Sequence, residues 1–199
     1  MSYSKIILKE EDFITSEWSG GKTTQMYIYP KSSIYKNLDF KWRISSATVE
    51  LDESDFTELK DVHRFITTLD NDLKLTHDYE NFIVLKPFEI YEFDGAIKTH
   101  SYGKVKDFNL MLANGATGIL ENLLVEGEFL LSLSNNSICK LQYEIFYSSS
   151  ETLSFIINEK EIVLNINELL IIELDGNEKL DLNIKSKNQS NLLYASLAE

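Results

Sequence analysis

Apolar and polar residues alternate along much of this chain, and such alternation is typical of half-buried β-strands. In the stretch FKWRISSATVEL, Trp42 and Ile44 fall on one face of a strand, while Arg43 and Ser45 fall on the other. The stretch KDFNLMLA alternates in the same way, and TTQMYIYP is rich in the β-branched and aromatic residues that strands favour. These three stretches are therefore predicted to be β-strands.

The same rhythm continues through the rest of the sequence. It predicts further strands at 4–8, 64–69, 72–76, 82–86, 90–94, 102–106, 117–125, 128–133, 141–147, 153–157, 160–165, 169–174, 180–185 and 191–197. Turn signals separate several of these runs, at Asp94-Gly95, Asn114-Gly115 and Asp175-Gly176. A short helical turn is predicted near Glu53–Leu59, and no long stripe with a helical period stands out. Many short strands with little helix are typical of a sandwich or barrel, so the fold class is predicted to be all-β.

Chain length bounds the number of domains. The 199 residues suffice for one large domain or for two domains of about 100 residues each. We predict two β-rich domains, spanning 1–114 and 115–199, with a junction near Asn114–Gly118. This division rests on length and strand rhythm, because the sequence contains no convincing internal repeat.

Charge and cysteine content limit the classes of partner that the chain is expected to bind and the compartment in which it is expected to occur. The chain has 19 basic and 32 acidic residues, and its net charge of -13 disfavours nucleic acid and anionic membrane as partners. The single cysteine, Cys139, excludes a disulfide within the chain and fits a cytoplasmic location. The N-terminus lacks the pattern of a signal peptide, and no apolar run approaches the ~20 residues of a membrane helix. We therefore expect a cytoplasmic protein.

The segment EWSGGKTTQMYIYP contains a Gly-Lys-Thr that is shared with phosphate-binding loops. The phosphate-binding pattern G-x-x-x-x-G-K-[ST] requires a glycine where this chain has Ser16, and the loop should open a helix. Here a strand-like segment follows instead. The preferred interpretation is a glycine turn that leads into a strand, without a nucleotide site.

The sequence contains no motif for a metal, a cofactor or a nucleophile. His63, His77 and His100 are widely spaced, without a His-x-His pair. Distant histidines can converge in a barrel, but individual surface or core histidines are the favoured interpretation. No cofactor, no metal ligand and no catalytic residue is therefore assigned.

Arginine is rare in this chain, because only Arg43 and Arg64 stand among 19 basic residues. An arginine kept amid such a lysine bias indicates a need for the planar guanidinium, which grips a carboxylate or stacks on a ring. Structural ion pairs with Asp or Glu are an equally weighted alternative. Asp107, Asn109 and Met111 share one face of a strand, for which a solvent-exposed face is favoured over the lining of a ligand cavity.

Five stretches, taken together and in order, resemble the HutD/Ves family. They are WSGGKTTQMYIYP, FKWRISSATVE, DVHRFITTLDN, LKPFEIYEFDG and GKVKDFNLML. The resemblance covers roughly residues 7–112, and beyond them it is limited to strand rhythm. It implies a bicupin, with two cupin-like β-barrels or jelly rolls packed together, little helix and no metal-binding histidines. The chain departs from the family at His63, since an acid is usual before the arginine that corresponds to Arg64.

The resemblance also implies a ligand-binding set, in which Arg43 or Arg64 pairs with a ligand carboxylate. The complete set is Thr24, Gln25, Arg43, Ser45, Arg64, Phe88, Asp107, Asn109 and Met111. Since Thr24 and Gln25 are neighbours in a strand, at most one of them should point into a given cavity. Trp18 and the pair Gly20-Gly21 are interpreted as structural, as an anchor and a turn.

Two functions remain open at this point. The favoured one is a non-enzymatic, sensing or regulatory protein that binds a small carboxylated metabolite. HutD is associated with histidine utilisation, so the resemblance implies an intermediate of histidine degradation such as formylglutamate, and it leaves a homodimer open. The alternative is an isomerase or hydrolase, metal-free or metal-dependent, acting on a small polar acid with Asp107 or His63 as its titratable group.

Overall fold

The computed structural model describes residues 3–134, 141–175 and 178–198. Their regular secondary structure is almost entirely β-strand, apart from turns of 3-10 helix at Glu10–Asp12 and Tyr35–Asn37. The all-β prediction is therefore confirmed. Cys139 and the glycine of the predicted Asp175-Gly176 turn lie outside the described residues. None of the described helices has both the length and the apolar character needed to cross a membrane.

Seventeen strands follow one another along the described chain. The first is β1 (Tyr3–Leu8). The next ten are β2 (Ile14–Trp18), β3 (Gly21–Tyr29), β4 (Trp42–Val49), β5 (Glu53–Asp55), β6 (Val62–Thr68), β7 (Leu73–Thr76), β8 (Phe82–Leu85), β9 (Tyr91–Asp94), β10 (His100–Tyr102) and β11 (Asp107–Ala113). The last six are β12 (Thr117–Ser134), β13 (Leu141–Ser148), β14 (Leu153–Ile157), β15 (Lys160–Leu164), β16 (Leu169–Asp175) and β17 (Lys179–Ala198).

The chain divides into two compact units. The N-terminal unit is Phe13–Ala116, and the C-terminal unit is Thr117–Glu199 together with Met1–Asp12. The sequence placed residues 1–12 in the first domain instead. The structure differs there because β1 pairs with β16 in antiparallel register, from Tyr3 opposite Leu174 to Leu8 opposite Leu169.

The N-terminal unit contains a six-stranded sheet in the order β2-β3-β4-β11-β6-β9 and a four-stranded sheet in the order β5-β10-β7-β8. Every strand pair in the two sheets is antiparallel. Apolar side chains from both sheets are buried in this unit, including Ile66, Leu73 and Leu75. Their burial supplies the hydrophobic free energy that holds the strands together.

The register of the six-stranded sheet collects polar side chains on one face. Met111 of β11 lies opposite Arg43 of β4 and opposite Arg64 of β6, and Asn109 lies opposite Ser45. Residues that are directly opposite in neighbouring strands project to the same face of a sheet. The alternation read from the sequence therefore places these five side chains side by side.

The C-terminal unit is built on a sheet in the order β1-β16-β13-β17-β14-β15, with β12 paired to β17. Its core is rich in Leu, Ile and Phe, including the fully buried Phe146 and Phe155. β12 and β17 are each continuous where the sequence predicted two strands. The interruption is only a register shift between Val125 and Gly127, because Gly127 adopts a φ of 66° within the strand.

Two local predictions in the N-terminal unit are wrong. The segment near Glu53–Leu59 does not form a helical turn, since β5 pairs with β10 at Glu53–Asp55. The strand predicted at 102–106 ends at Tyr102, because Gly103 has a φ of 124° and donates its backbone N–H to the Asp52 carbonyl at 2.9 Å. In both places tertiary pairing and backbone geometry override the local pattern.

Candidate functional site

A cavity of about 340 Å³ opens in the N-terminal unit, on the polar face of the six-stranded sheet. The side chains at its base come from β4, β6 and β11 and are all buried. They are Arg43, Ser45, Arg64, Asp107, Asn109 and Met111. Exposed residues from β2 and from the β5 region form its mouth, including Trp18, Asp55 and Thr57. Asp107, Asn109 and Met111 are thus buried and line a cavity, so the solvent-exposed interpretation of their face is wrong.

Arg43 is held at the base by neutral groups. Its Nε donates to Gln25 Oε1 and its Nη1 donates to Ser45 Oγ, both at 2.8 Å. The Cζ atom lies 4.2 Å from the ring centroid of Tyr35, a cation–π contact. Burial lowers the pKa of Arg43 below its usual value, and the guanidinium stays charged at neutral pH because the usual pKa of arginine lies so far above neutrality.

Arg64 is held in a similar way from the other side of β11. Its Nη2 donates to Asn109 Oδ1 at 2.9 Å, and its Nη1 donates to the Thr57 carbonyl at 3.5 Å. The rings of Phe56 and Phe93 lie 5.0 Å and 5.2 Å from its Cζ atom. Its Nε is buried without a hydrogen-bond partner among the described residues. One N–H of this guanidinium is therefore unsatisfied.

Neither guanidinium has a carboxylate partner among the described residues. In the described part of the chain, no Asp or Glu oxygen lies within 4.0 Å of Arg43 or Arg64, whose exposures are 5% and 6%. The structural ion pairs considered from the sequence are thus not formed there. A buried charge without an ion-pair partner is costly in free energy. The buried lining residues carry two guanidiniums and one carboxyl, that of Asp107, so the base keeps an excess of positive charge that is complementary to an anion.

Asp107 is the one acid at the base of the cavity among the described lining residues, and it is 4% exposed. Its Oδ1 accepts a hydrogen bond from the Ala47 backbone N–H at 2.7 Å, and the Asn109 side chain donates a further one. Burial raises the pKa of Asp107 to about 6, although these hydrogen bonds and the charges of Arg64 and Arg43 oppose the rise. Asp107 is therefore a group that titrates near neutral pH inside the cavity.

The structure also separates Thr24 from Gln25. Gln25 lies opposite Ser45 and accepts the hydrogen bond from Arg43 Nε, so it supports the base of the cavity. Thr24 projects to the other face, where its Oγ1 lies 3.0 Å from Thr15 Oγ1. Gln25 is thus the one of the two that faces Arg43.

Phe88 lies apart from the cavity. It sits in a loop with a φ of 67°, and its backbone N–H donates to the Thr68 carbonyl at 2.9 Å. Neither Phe88 nor Thr24 is among the described lining residues. Of the nine residues selected from the sequence, six gather at the base, Gln25 supports Arg43 from the side, and these two point elsewhere.

Several lining residues were missed from the sequence, and three of them are aromatic. Trp18, interpreted as an anchor, is 39% exposed at the mouth of the cavity. Tyr35 and Phe56 come from a turn and a loop, and their rings pack on the guanidiniums of Arg43 and Arg64. The scarcity of arginine is the one signal that hints at such rings, because guanidinium groups stack on aromatic faces.

The histidines do not form a common site. Each has hydrogen-bond partners of its own, which are Glu92 for His63, Tyr91 and Thr99 for His77, and Asp55 for His100. Within residues 3–134, 141–175 and 178–198, no group of three His, Cys, Asp or Glu side chains is arranged to hold a metal ion.

Comparison with known proteins places this architecture in context. The model of the HutD family matches residues 10–193. The structure is similar to that of PA5104 from Pseudomonas aeruginosa PAO1, a conserved protein of unknown function, with 18% identity, a TM-score of 0.80 and coverage of 98% of each chain. It is also similar to HutD from Pseudomonas fluorescens SBW25, with 19% identity, a TM-score of 0.74 and coverage of 98% of this chain and 100% of that one.

A more distant likeness is to YhhW from Escherichia coli, with 9% identity, a TM-score of 0.68 and coverage of 97% of each chain. At these identities the structural likeness shows the fold, which is cupin-like. No curated protein sequence matches the chain at a significant level.

Proposed function

This chain belongs to the HutD family, and we propose that it is a cytoplasmic, non-enzymatic protein that binds a small carboxylated metabolite in the cavity of its N-terminal unit. Its role would be sensing or regulation. The observation that carries this proposal is the pair of buried guanidiniums, Arg43 and Arg64, without a carboxylate within 4.0 Å among the described residues. A ligand carboxylate would supply the missing counter-charge.

The unused N–H groups support binding at the base. Arg64 Nε is buried without a partner, and the hydrogen bonds of Arg43 to described residues use only Nε and Nη1. Both arginines line the cavity, so a ligand carboxylate would accept from Arg43 Nη2, whereas Arg64 Nε is closed off and would become a donor only after the side chain moves. Ser45 and Asn109 hold the guanidiniums in place, so little side-chain entropy is lost on binding.

The family suggests the ligand class. Its association with histidine utilisation supports an intermediate of histidine degradation, such as formylglutamate, as the metabolite. HutD from Pseudomonas fluorescens SBW25 was solved in a formate condition, and formate is a suitable smallest probe for the present cavity. The net charge of -13 supports the further expectation that neither nucleic acid nor an anionic membrane is a partner.

Thermal shift measurements test this proposal. The wild-type protein is heated with formate, acetate, formylglutamate and other small acids, each compared with its uncharged amide. A ligand at 100 times its Kd should add about 2.7 kcal/mol to the free energy of unfolding. The R43A variant should lose this response, whereas K60A, which removes an exposed lysine, should keep it. The proposal fails if no acid stabilises the wild type, or if R43A responds as strongly.

A second candidate is favoured by Asp107. A buried carboxyl whose pKa is raised to about 6 inside a cavity has the properties of a general acid or base, so a metal-free isomerase or hydrolase would use it. Turnover of a bound acid that disappears in D107N, with the acid still bound, would favour this enzyme. Stoichiometric zinc, iron or manganese in the purified protein would favour the metal-dependent version.

A further inference from the structure

Trp18 lies at the mouth of the cavity with 39% of its surface exposed, whereas Trp42, the other tryptophan, is 1% exposed. Large aromatic side chains gain free energy from burial, and this one is left beside a polar cavity. Two questions follow, namely which contact holds the Trp18 ring at the mouth and what the ring binds there.

The contact is with Gly20. A Cβ atom on Gly20 would lie 2.1 Å from Cζ3 and 2.5 Å from Cη2 of Trp18, so the indole rests directly against the Gly20 backbone. A side chain at this position would push the ring away. The backbone of Gly20 is not in the left-handed region, so the ring, and not the turn conformation, requires the missing side chain.

Trp18 differs from the other aromatic residues that line the cavity. The ring of Tyr35 packs on the Arg43 guanidinium at 4.2 Å, and the ring of Phe56 packs on that of Arg64 at 5.0 Å. Trp18 makes no such contact with a ring or a guanidinium of the described residues. Its indole is therefore available to a ligand that extends from the base towards the mouth.

We propose that Trp18 is a specificity-determining residue that selects acids with a planar, apolar body, so that it narrows the proposed ligand class and disfavours flexible polar chains such as formylglutamate. The carboxylate of such an acid binds Arg43 and Arg64, and its flat body stacks on the Trp18 indole. This selection rests on the proposed binding of an acid at the base. A volume of about 340 Å³ is at the small end of ligand sites, which suits a single ring or a short conjugated chain. Flat π-systems stack on aromatic rings, and a rigid body loses less conformational entropy on binding than a flexible one.

Benzoate and cyclohexanecarboxylate form a matched pair of probes, because they carry the same number of carbon atoms on a flat and on a puckered ring. Acetate is the control probe, because it carries the carboxylate without a ring. Isothermal titration calorimetry gives the Kd of each probe for the wild type, W18A, W18F and G20A. Wild type should bind benzoate roughly threefold to tenfold more tightly than cyclohexanecarboxylate, the range of an aromatic pair. W18A and G20A should lose this preference, W18F should keep most of it, and all four should bind acetate equally.

G20A is the decisive variant, because it keeps the indole and moves it. Equal affinity of the wild type for benzoate and cyclohexanecarboxylate overturns the role of Trp18, and so does an unchanged preference in W18A. In both cases the acid site is still supported if the wild type binds acetate and the R43A variant does not. If the wild type binds none of the three acids, both proposals fail. The comparison of ligands on the wild type remains valid even if a variant does not fold.

Discussion

Arg43 and Arg64 lie directly opposite the same residue, Met111, from the two strands that flank β11. Neighbouring strands are about 4.8 Å apart, so the Cα atoms of the two arginines are separated by about 10 Å on one face of the sheet. The charge of Arg64 contributes to lowering the pKa of Arg43, although burial is the larger cause. Two like charges fixed this close give the base of the cavity an excess of positive charge, which ionised Asp107 offsets in part.

Arg43 should therefore be needed for its shape as well as its charge. R43K retains a positive charge but loses the planar guanidinium, which donates hydrogen bonds to both Gln25 and Ser45. A charge-assisted hydrogen bond contributes about 1.5–3 kcal/mol, so R43K should weaken acid binding roughly tenfold or more, and R43A further. Calorimetric titration with the best-binding acid measures this. Equal affinities of R43K and wild type would show that a point charge suffices.

Arg64 should lower the stability of the ligand-free protein. Replacement of a buried charge by an apolar side chain of similar volume is often neutral or stabilising, by about 1–4 kcal/mol. R64M should therefore unfold at the same or a higher urea concentration than the wild type, despite the lost bond to Asn109, while it no longer binds acids. R64A, which leaves a cavity, serves as the control that should be less stable. A large loss of stability in R64M would assign Arg64 a structural role.

Asp107 should make stability depend on pH in the direction opposite to that of a salt-bridged carboxylate. Burial raises its pKa from 3.8 to about 6, so the folded state binds the proton more tightly than the unfolded chain. The stabilising contribution is complete below about pH 3.8 and is lost as the pH rises through 6, and its full size is about 3 kcal/mol. Urea unfolding of wild type and D107N at pH 4 and pH 7 measures it. Parallel pH profiles of the two proteins would contradict the shift.

The same titration should act on ligand affinity. Ionised Asp107 repels an anion at the base, while Arg43 and Arg64 keep their charges across this range. Acid affinity should thus fall as the pH rises through about 6, by up to tenfold per pH unit if only protonated Asp107 admits the ligand. Titrations between pH 5 and pH 8 test this, with D107N expected to be flat. A rise in wild-type affinity with pH would indicate that Asp107 binds a cationic group of the ligand.

The base of the cavity could be predicted from the sequence because strands impose a strict alternation. Once Arg43 and Asn109 are placed in strands, their faces follow, and only the sheet order is left to the structure. The choice between Thr24 and Gln25 needed that order, since alternation alone says only that they diverge. The register of β3 with β4 provides it by placing Gln25 opposite Ser45.

The mouth could not be predicted in this way. Trp18, Tyr35 and Phe56 approach the cavity from a hairpin end, a turn and a loop, where no periodic pattern fixes the direction of a side chain. The prediction of a helical turn near Glu53–Leu59 was wrong for a related reason, because the strand found there forms only by pairing with β10. The local sequence thus predicted the base of the cavity better than it predicted the loops around the mouth.

Gly21 should be needed for the backbone itself, in contrast to Gly20. Its φ is 145°, and a Cβ atom there would lie 1.9 Å from the Thr48 carbonyl oxygen, a backbone atom that cannot swing aside. G21A should therefore lower the free energy of unfolding by more than the ~1 kcal/mol expected for backbone strain alone.

Gly115 provides the matched control, because its φ is 81° and no atom of the described residues beyond its chain neighbours lies within 4 Å of the position of a Cβ. G115A carries backbone strain without a clash, so urea unfolding should rank the stabilities as wild type, then G115A, then G21A. If G21A is no less stable than G115A, the contact with Thr48 does not constrain the hairpin. The expected order would show that the second glycine of the Gly-Gly-Lys-Thr segment serves the close approach of β3 to β4, and hence the mouth of the cavity.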